Sequence, residues 1–363
     1  MSAVSVAVVT SVTDPIDVRG LRIRNRIWVA PMCQYSVMAY DGVPTDWHRV
    51  HYGALAAGGT GLLVVEATAI VPEGRITRQD TGLWNDEQVE GWRPIVDFAH
   101  AQGAAIGVQL NHAGAKAGTY AGFGRDGDHR GSVPIELGGW QTVSASSEPL
   151  LGLAAPRALA IDELRGVVDA FVAAAHRAVD AGFDLVEVHA AHGYLLHQFL
   201  SPLTNQRGDD FGGDLAGRSR LLLDVVAAIR AALPELPIIL RMSATDWTEG
   251  GLDAEQAAVV AAWARAAGAD FVDASSGGAV LADIPVGPGY QVHLAERIAA
   301  EGVPVSAVGL IETSEHADAV VRGGVDAVRV GRAVLRDPYL PIRWARELGA
   351  DAAWHPPQYS RAY

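Results

Sequence analysis

"AGFDLVEVHAAH", residues 181–192, holds the unit from which the fold is read. A helical stretch ends at Ala181, and Gly182 stands where the helix needs a left-handed residue to stop, a conformation glycine takes without steric cost. Leu185 to Val188 then form the apolar run that a parallel strand buried on both faces requires, and the run closes on His189. The same phrase returns as "AAGGTGLLVVEA" from Ala56, "AQGAAIGVQLNH" from Ala101, "AGADFVDASSGG" from Ala267 and "RGGVDAVRVGRA" from Arg322. Shorter runs begin at Ile27 ("IWVAPM"), Pro237 ("PIILRMS") and Pro304 ("PVSAVG"). Helical spacing separates them over 162–180, 218–232, 253–267 and 314–322, with Asp162 and Asp253 as expected N-caps. Eight strand-then-helix units predict an α/β chain closed into a (β/α)8 TIM barrel, with "DPIDVRGLRIRNR" (14–26) as an N-terminal hairpin closing its bottom. A doubly wound open sheet is the alternative.

On this reading residues 1–363 are a single barrel domain, and 111–161 a long lid inserted after the third strand, placed over the mouth. The lid contains "GFGRDG" (122–127), a formal match to a dinucleotide fingerprint, but no strand precedes it and no helix follows. Composition narrows the function. The net charge of -14 would repel a phosphate backbone, which argues against nucleic acid as a partner. No apolar stretch is long enough to span a membrane. Cys33 is the sole cysteine, which excludes an intramolecular disulfide and an iron–sulfur cluster and suits the cytosol. The leader "MSAVSVAVVTSVTD" lacks a basic start and reads as a loosely docked segment, not a signal peptide.

Function in a barrel collects where strands end. In order these ends are Cys33, Glu66 with Ala67, Gln109, His189 with His192, Arg241, Ser275 with Ser276, Gly309, and Gly331 with Arg332. This mixture does not suit a metal cage, so no metal ligand is assigned. Gly309 and Gly331 let main-chain N–H groups approach an anion, the following helix offers its positive end, and Arg332 adds a forked cation, as a phosphate site needs. Arg241 would face an anionic ring or carboxylate, or else belong to a structural ion pair. His197 lies in an apolar stretch and reads as a buried structural histidine.

Taken together, "APMCQYS", "VVEATA", "GRIT", "QLNHAGAK", "HAAHGYLLHQFLSP", "LRMSA" and "VGRAVLRDP" resemble the old yellow enzyme family of FMN-dependent ene-reductases, in order from about Asp14 to Tyr363. Cys33, where other members have a threonine, makes the chain similar to the thermophilic-like subclass. The resemblance implies that Ala30, Pro31, Met32 and Cys33 line FMN, that Ala67 and Gln109 hold its pyrimidine side, and that Arg241 lies near N1 and O2. It implies that Gly331 and Arg332 hold the phosphate, in agreement with the barrel argument. It also implies that His189 and His192 bind the substrate carbonyl, that Tyr194 donates the proton, and that Tyr35 helps bind substrate. The implied reaction is transfer of hydride from NADPH or NADH, through FMN, to the β-carbon of an enone, enal or maleimide-type alkene. Arg361 in "QYSRAY" resembles a residue that reaches a neighbouring subunit's site, which implies a homodimer or homotetramer.

The position of Cys33 favours tuning of the flavin over action as a nucleophile. Two positions depart from the family pattern: Ala115 replaces an arginine of "HAGRK", and Gly217 replaces a common asparagine, where a local change in loop hydrogen bonding is expected. Two other readings compete, a metal-dependent barrel hydrolase using His189 and His192, and a flavin-binding module without chemistry.

Overall fold

A computed structural model of the chain describes residues 10–350 and 353–363. The apolar runs close into one barrel of parallel strands: β1 (Ile27–Val29), β2 (Leu62–Ala69), β3 (Ala105–Asn111), β4 (Leu185–Ala190), β5 (Ile238–Ser243), β6 (Phe271–Ser275), β7 (Val305–Val308) and β8 (Ala327–Val330). Each strand pairs with its neighbours in sequence, and β8 pairs with β1. The open-sheet alternative is thereby ruled out. Helices follow the strands in turn: α1 (Asp46–Ala57), α2 (Asp86–Ala101), α3 (Ile161–Ala181), α4 (Leu215–Ala232), α5 (Ala254–Ala267), α6 (Val292–Ala299), α7 (Ser314–Arg322) and α8 (Leu340–Glu347). Short helices at Leu195–Leu200 and Arg332–Arg336 lie in the connections after β4 and β8.

Side chains alternate along a strand, so residues two apart share the barrel interior. The lowest level is apolar. Trp28, Leu62, Val64, Leu185, Ile239, Phe271 and Ala327 pack against Val18 and Ile23 of the antiparallel hairpin Ile16–Val18/Leu21–Ile23, which plugs the bottom as expected. Two residues further along the strands comes a charged level, which was not anticipated. Arg329 donates to Glu187 (2.5 Å), and its Nε lies 3.5 Å from Asp273, which also accepts from Ser306 (2.9 Å). Arg241 Nε lies 3.1 Å from Asp273, and Gln109 donates to Glu187 (2.8 Å). Two buried carboxylates thus balance two buried guanidinium groups, the pairing that buried charge requires. His189, Ser243 and Ser275 continue the same strand faces to the mouth.

On β2 the register shifts between Val65 and Ala67. The extra residue turns Glu66 outward towards α1, where Tyr52 donates to it (2.9 Å), and leaves Ala67 facing inward opposite Gln109.

Some local expectations need correction. Asp162 is not an N-cap: α3 begins at Ile161, and since Ala160 has no oxygen to offer, the Glu163 carboxylate reaches back to accept from its N–H (2.7 Å). α4 begins at Leu215, before the expected Arg218, because Asp214 caps it by accepting from Gly217 N–H (2.8 Å). Gly217 is required there, since a Cβ would sit 2.1 Å from the Gly212 carbonyl oxygen. Asp253 does cap α5, accepting from Gln256 N–H (2.8 Å). Leader residues 1–9 lie outside the described residues, but its end is docked: Ser11 and Val12 both donate to Asp318.

The connection from β3 to α3 crosses the mouth. Phe123 packs on Tyr35 with ring centroids 5.8 Å apart, and Trp140 joins the cluster around Tyr194. "GFGRDG" forms a 3-10 turn (Gly124–Asp126), and Asp126 accepts from Arg78 (3.2 Å), Gln79 (3.0 Å) and Ala121 N–H (2.9 Å). That segment is a pinned lid turn.

Candidate active site

The chain leaves β1 through Ala30, whose N–H donates to Val330 (3.0 Å), and runs through Pro31, Met32 and Cys33 to Tyr35, left-handed at φ +48°. Glu66 fastens this segment by accepting from Gln34 N–H (2.8 Å), while the Gln34 amide donates to the Met32 carbonyl (2.7 Å). Cys33 and Tyr35 pack with Ala67, Ile76, Ala113, Ala117 and Tyr194. Burial, then the Asp80 and Glu66 carboxylates, push the Cys33 thiol well above its usual range. It stays protonated at neutral pH, which disfavours a nucleophilic role.

At the end of β4, His189 lies edge-to-face with both His192 (centroids 5.2 Å) and Tyr194 (5.0 Å). Ala191 N–H donates to His189 Nδ1 (3.2 Å), so a neutral His189 carries its proton on Nε2. Burial lowers both imidazoles well below the ordinary histidine range, and neighbouring cations lower them further. Burial raises the Tyr194 phenol, with help from Cys33 and Asp80. At neutral pH the mouth therefore holds two uncharged imidazoles and one protonated phenol. Lys116 Nζ donates to the His192 carbonyl (2.7 Å) and lies 4.9 Å from the centre of the Tyr194 ring. His192 is left-handed (φ +58°), and Gly193 must be glycine because a Cβ would meet the Gly278 carbonyl oxygen at 2.1 Å.

Beside these groups, the ends of β5 to β8 enclose a cavity of about 180 Å³ lined by Arg241, Ser275, Gln291, Gly309, Gly331 and Arg332, among others. Gln291 shapes its wall, donating to Val308 (3.0 Å) and accepting from Ser276 (2.5 Å). A Cβ on Gly331 would meet only Met32 Sδ, at 3.6 Å, so the main chain there is open to a group resting against it. Arg241 is buried at the floor and Arg332 exposed at the lip. Glu312, the carboxylate in the lining, is engaged by Arg336 (2.7 Å). With Arg241 balanced by Asp273, Arg332 is the cation left to the cavity, and beside the open main-chain cradle it fits a phosphorylated ligand.

The structure gathers the expected residues of β1 to β4 around the mouth and those of β5, β7 and β8 around the cradle. Arg361 is not gathered. It is exposed, on a tail that folds back so that Tyr363 stacks on His355 (4.8 Å). His197 is buried as expected, accepting from Gly193 N–H (2.9 Å), with Nε2 3.1 Å from Asp246. The sequence marks Glu66 only as a strand end and gives no part to Lys116 or Gln291. Among the described residues, no group of three or more His, Cys, Asp or Glu side chains could hold a metal ion, and no helix is long and apolar enough to cross a membrane.

The profile of the NADH:flavin oxidoreductase / NADH oxidase family matches residues 11–351. The chain belongs to this family. It is 43% identical to an NADPH dehydrogenase of Listeria monocytogenes, over 95% of this chain and 97% of that one. Among solved structures it is similar to the old yellow enzyme homologue from Zymomonas mobilis (TM-score 0.79, 30% identity, 96% and 98% of the two chains). It is also similar to morphinone reductase (TM-score 0.77, 28% identity, 95% and 91%). The old yellow enzyme resemblance read from the motifs therefore holds, and the chain is an FMN-dependent NAD(P)H oxidoreductase of that type. The cationic cradle and the neutral polar mouth are the features of this family member on which a reaction can be built.

Proposed function

We propose that this flavin oxidoreductase reduces the C=C bond of α,β-unsaturated carbonyl compounds such as enones, enals and maleimides. The observation that carries the reading is the grouping of two neutral donors and one protonated acid at the mouth, His192 and Tyr194 each packed edge-to-face on His189 with ring centroids 5.2 and 5.0 Å away. FMN, when bound, would supply the hydride chemistry that links NADPH or NADH to the β-carbon of the alkene. Charge then builds on the carbonyl oxygen, where His189 Nε2–H and an N–H of His192 stabilise it; such a donor typically contributes about 10²–10³ in rate. Tyr194 delivers the proton to the α-carbon, and Tyr35 borders the substrate from the opposite side.

Arg332, Gly331 and Gly309 would hold the FMN phosphate, with Arg241, Gln109 and Ala67 at the pyrimidine side and Ala30 to Cys33 along the ring system. Supporting this assignment are the cradle's charge and the pairing of Ala67 with Gln109. We place Arg361 at the substrate site of a second copy, in a homodimer or homotetramer. Its exposure supports this, and Arg361→Ala should raise KM for the alkene; an unchanged KM would remove it from the site. The lone cysteine keeps the cytosol as the expected compartment.

Isotope placement tests the reaction. With nicotinamide deuterated at the transferred position, the saturated product should carry deuterium at the β-carbon, and in D2O with unlabelled nicotinamide at the α-carbon. Failure to reduce any such alkene, or nicotinamide-derived deuterium at the α-carbon, would overturn the proposal.

A further inference from the structure

His192 is gripped at three points. Its N–H donates to Ser243 Oγ (3.0 Å), Ser243 in turn donates to the Gly277 carbonyl (2.8 Å), and the His192 carbonyl accepts from Lys116 (2.7 Å). Its Nε2 lies 2.7 Å from Ser275 Oγ. These contacts fix the ring's place, including its left-handed backbone. They leave open which ring nitrogen carries the proton. A neutral imidazole has one N–H and one lone pair, and the choice decides whether His192 attracts or repels a carbonyl oxygen.

Ser275 engages Nε2, so Nδ1 is the nitrogen left for a substrate. If Ser275 accepted from Nε2–H, Nδ1 would present a lone pair to the site. The serine's own O–H would then have no protein acceptor among the described residues. If Ser275 donates, both problems disappear. We infer that the Ser275 hydroxyl donates to His192 Nε2 and thereby fixes the Nδ1–H tautomer, making Ser275 the positioning residue that turns His192 into a donor toward the substrate carbonyl oxygen.

His189 supports the pattern by mirroring it. There the main chain does the same work on the opposite nitrogen, since Ala191 N–H occupies Nδ1 and leaves Nε2–H. Each imidazole is thus set by a donor behind it, one from a side chain and one from the backbone. Ser275 and His189 sit at the mouth ends of strands β6 and β4, which is why a hydroxyl on β6 can reach the loop that follows β4. The inference rests on the proposed reaction for its purpose, but the tautomer can be read without turnover.

Two-bond proton–nitrogen correlation on the FMN-loaded enzyme, with its histidines labelled with nitrogen-15, reads it directly; the His192 signals are assigned by their loss in His192→Asn. The expected spectrum has Nδ1 protonated and Nε2 bare. In Ser275→Ala the Nε2–H form should appear, and reoxidation of the reduced enzyme by 2-cyclohexenone should slow by up to about 10²–10³-fold, more than reduction by NADPH slows. Ser275→Thr should restore both signatures. Protonated Nε2 in the wild-type enzyme, or an unchanged tautomer in Ser275→Ala, would overturn the inference, and the wild-type spectrum decides even if the alanine variant does not fold. Loss of alkene-dependent reoxidation in His189→Ala, together with wild-type Nε2–H, would sink this inference alone. Unaltered reoxidation in His189→Ala would instead sink the reaction proposed above.

Discussion

Replacing Tyr194 by phenylalanine removes the acid and little else. The ring keeps its edge-to-face packing on His189 (5.0 Å) and its place 4.9 Å from the Lys116 ammonium. No described residue hydrogen-bonds the phenol side chain, so the change leaves no protein group unpaired, and Tm should stay within roughly 3 °C of the wild type. Burial holds the phenol protonated through the neutral range, so the wild-type acid is fully available there. A positioned acid contributes about 10²–10⁴ in rate, equivalent to about 2.7–5.4 kcal/mol of barrier. In anaerobic stopped-flow, reoxidation of the reduced enzyme by 2-cyclohexenone should slow by that factor, and reduction by NADPH by much less. Equal slowing of the two half-reactions, or no slowing of either, would refute the assignment of Tyr194 as the proton donor.

Cys33→Ser should shift the flavin midpoint potential while FMN is retained; an unchanged potential in dye-coupled titration would end the tuning role. Arg332→Ala should weaken FMN binding by about 10- to 100-fold, the loss of about 1.5–3 kcal/mol expected of a charged hydrogen bond, and an equal Kd would displace the phosphate from the cradle. Lys116 is lowered by burial from 10.5 to about 8. Loss of its charge weakens donation to His192 and Gly278, so alkene reduction should fall as pH rises through about 8, and this limb should be missing in Lys116→Met. The stability effect has the opposite sign. Between about 8 and 10.5 the unfolded chain holds this proton and the folded chain does not, so wild-type stability should rise with pH relative to Lys116→Met. Parallel stability curves in urea unfolding would contradict it.

The barrel was legible because its signals are local. Gly182 and Gly268 both adopt the left-handed geometry that ends their helices, and α7 spans the predicted Ser314–Arg322. Capping was less legible, because Asp162 and Glu163 compete for the same helix end and only the geometry of Ala160 decides between them. The charged level leaves a signal in the sequence: Glu187 in "LVEVH", Asp273 in "FVDAS" and Arg329 in "AVRVG" each interrupt an apolar strand two positions before its functional end. Charges that mid-strand can survive only if barrel closure brings opposite signs together. The bulge that turns Glu66 outward and the reach of Ser275 to His192 were not legible, since both depend on register between strands far apart in sequence. Arg361 carries no signal in spacing or periodicity, and the structure leaves it exposed on the tail.

The measurement that bears most directly on the account follows the visible flavin absorbance of the purified protein without oxygen. One equivalent of NADPH should bleach it, and one equivalent of 2-cyclohexenone should then restore it with formation of the saturated ketone. A protein that bleaches but stays reduced until oxygen is admitted, whatever activated alkene is offered, would contradict the assignment of His189, His192 and Tyr194 to alkene reduction.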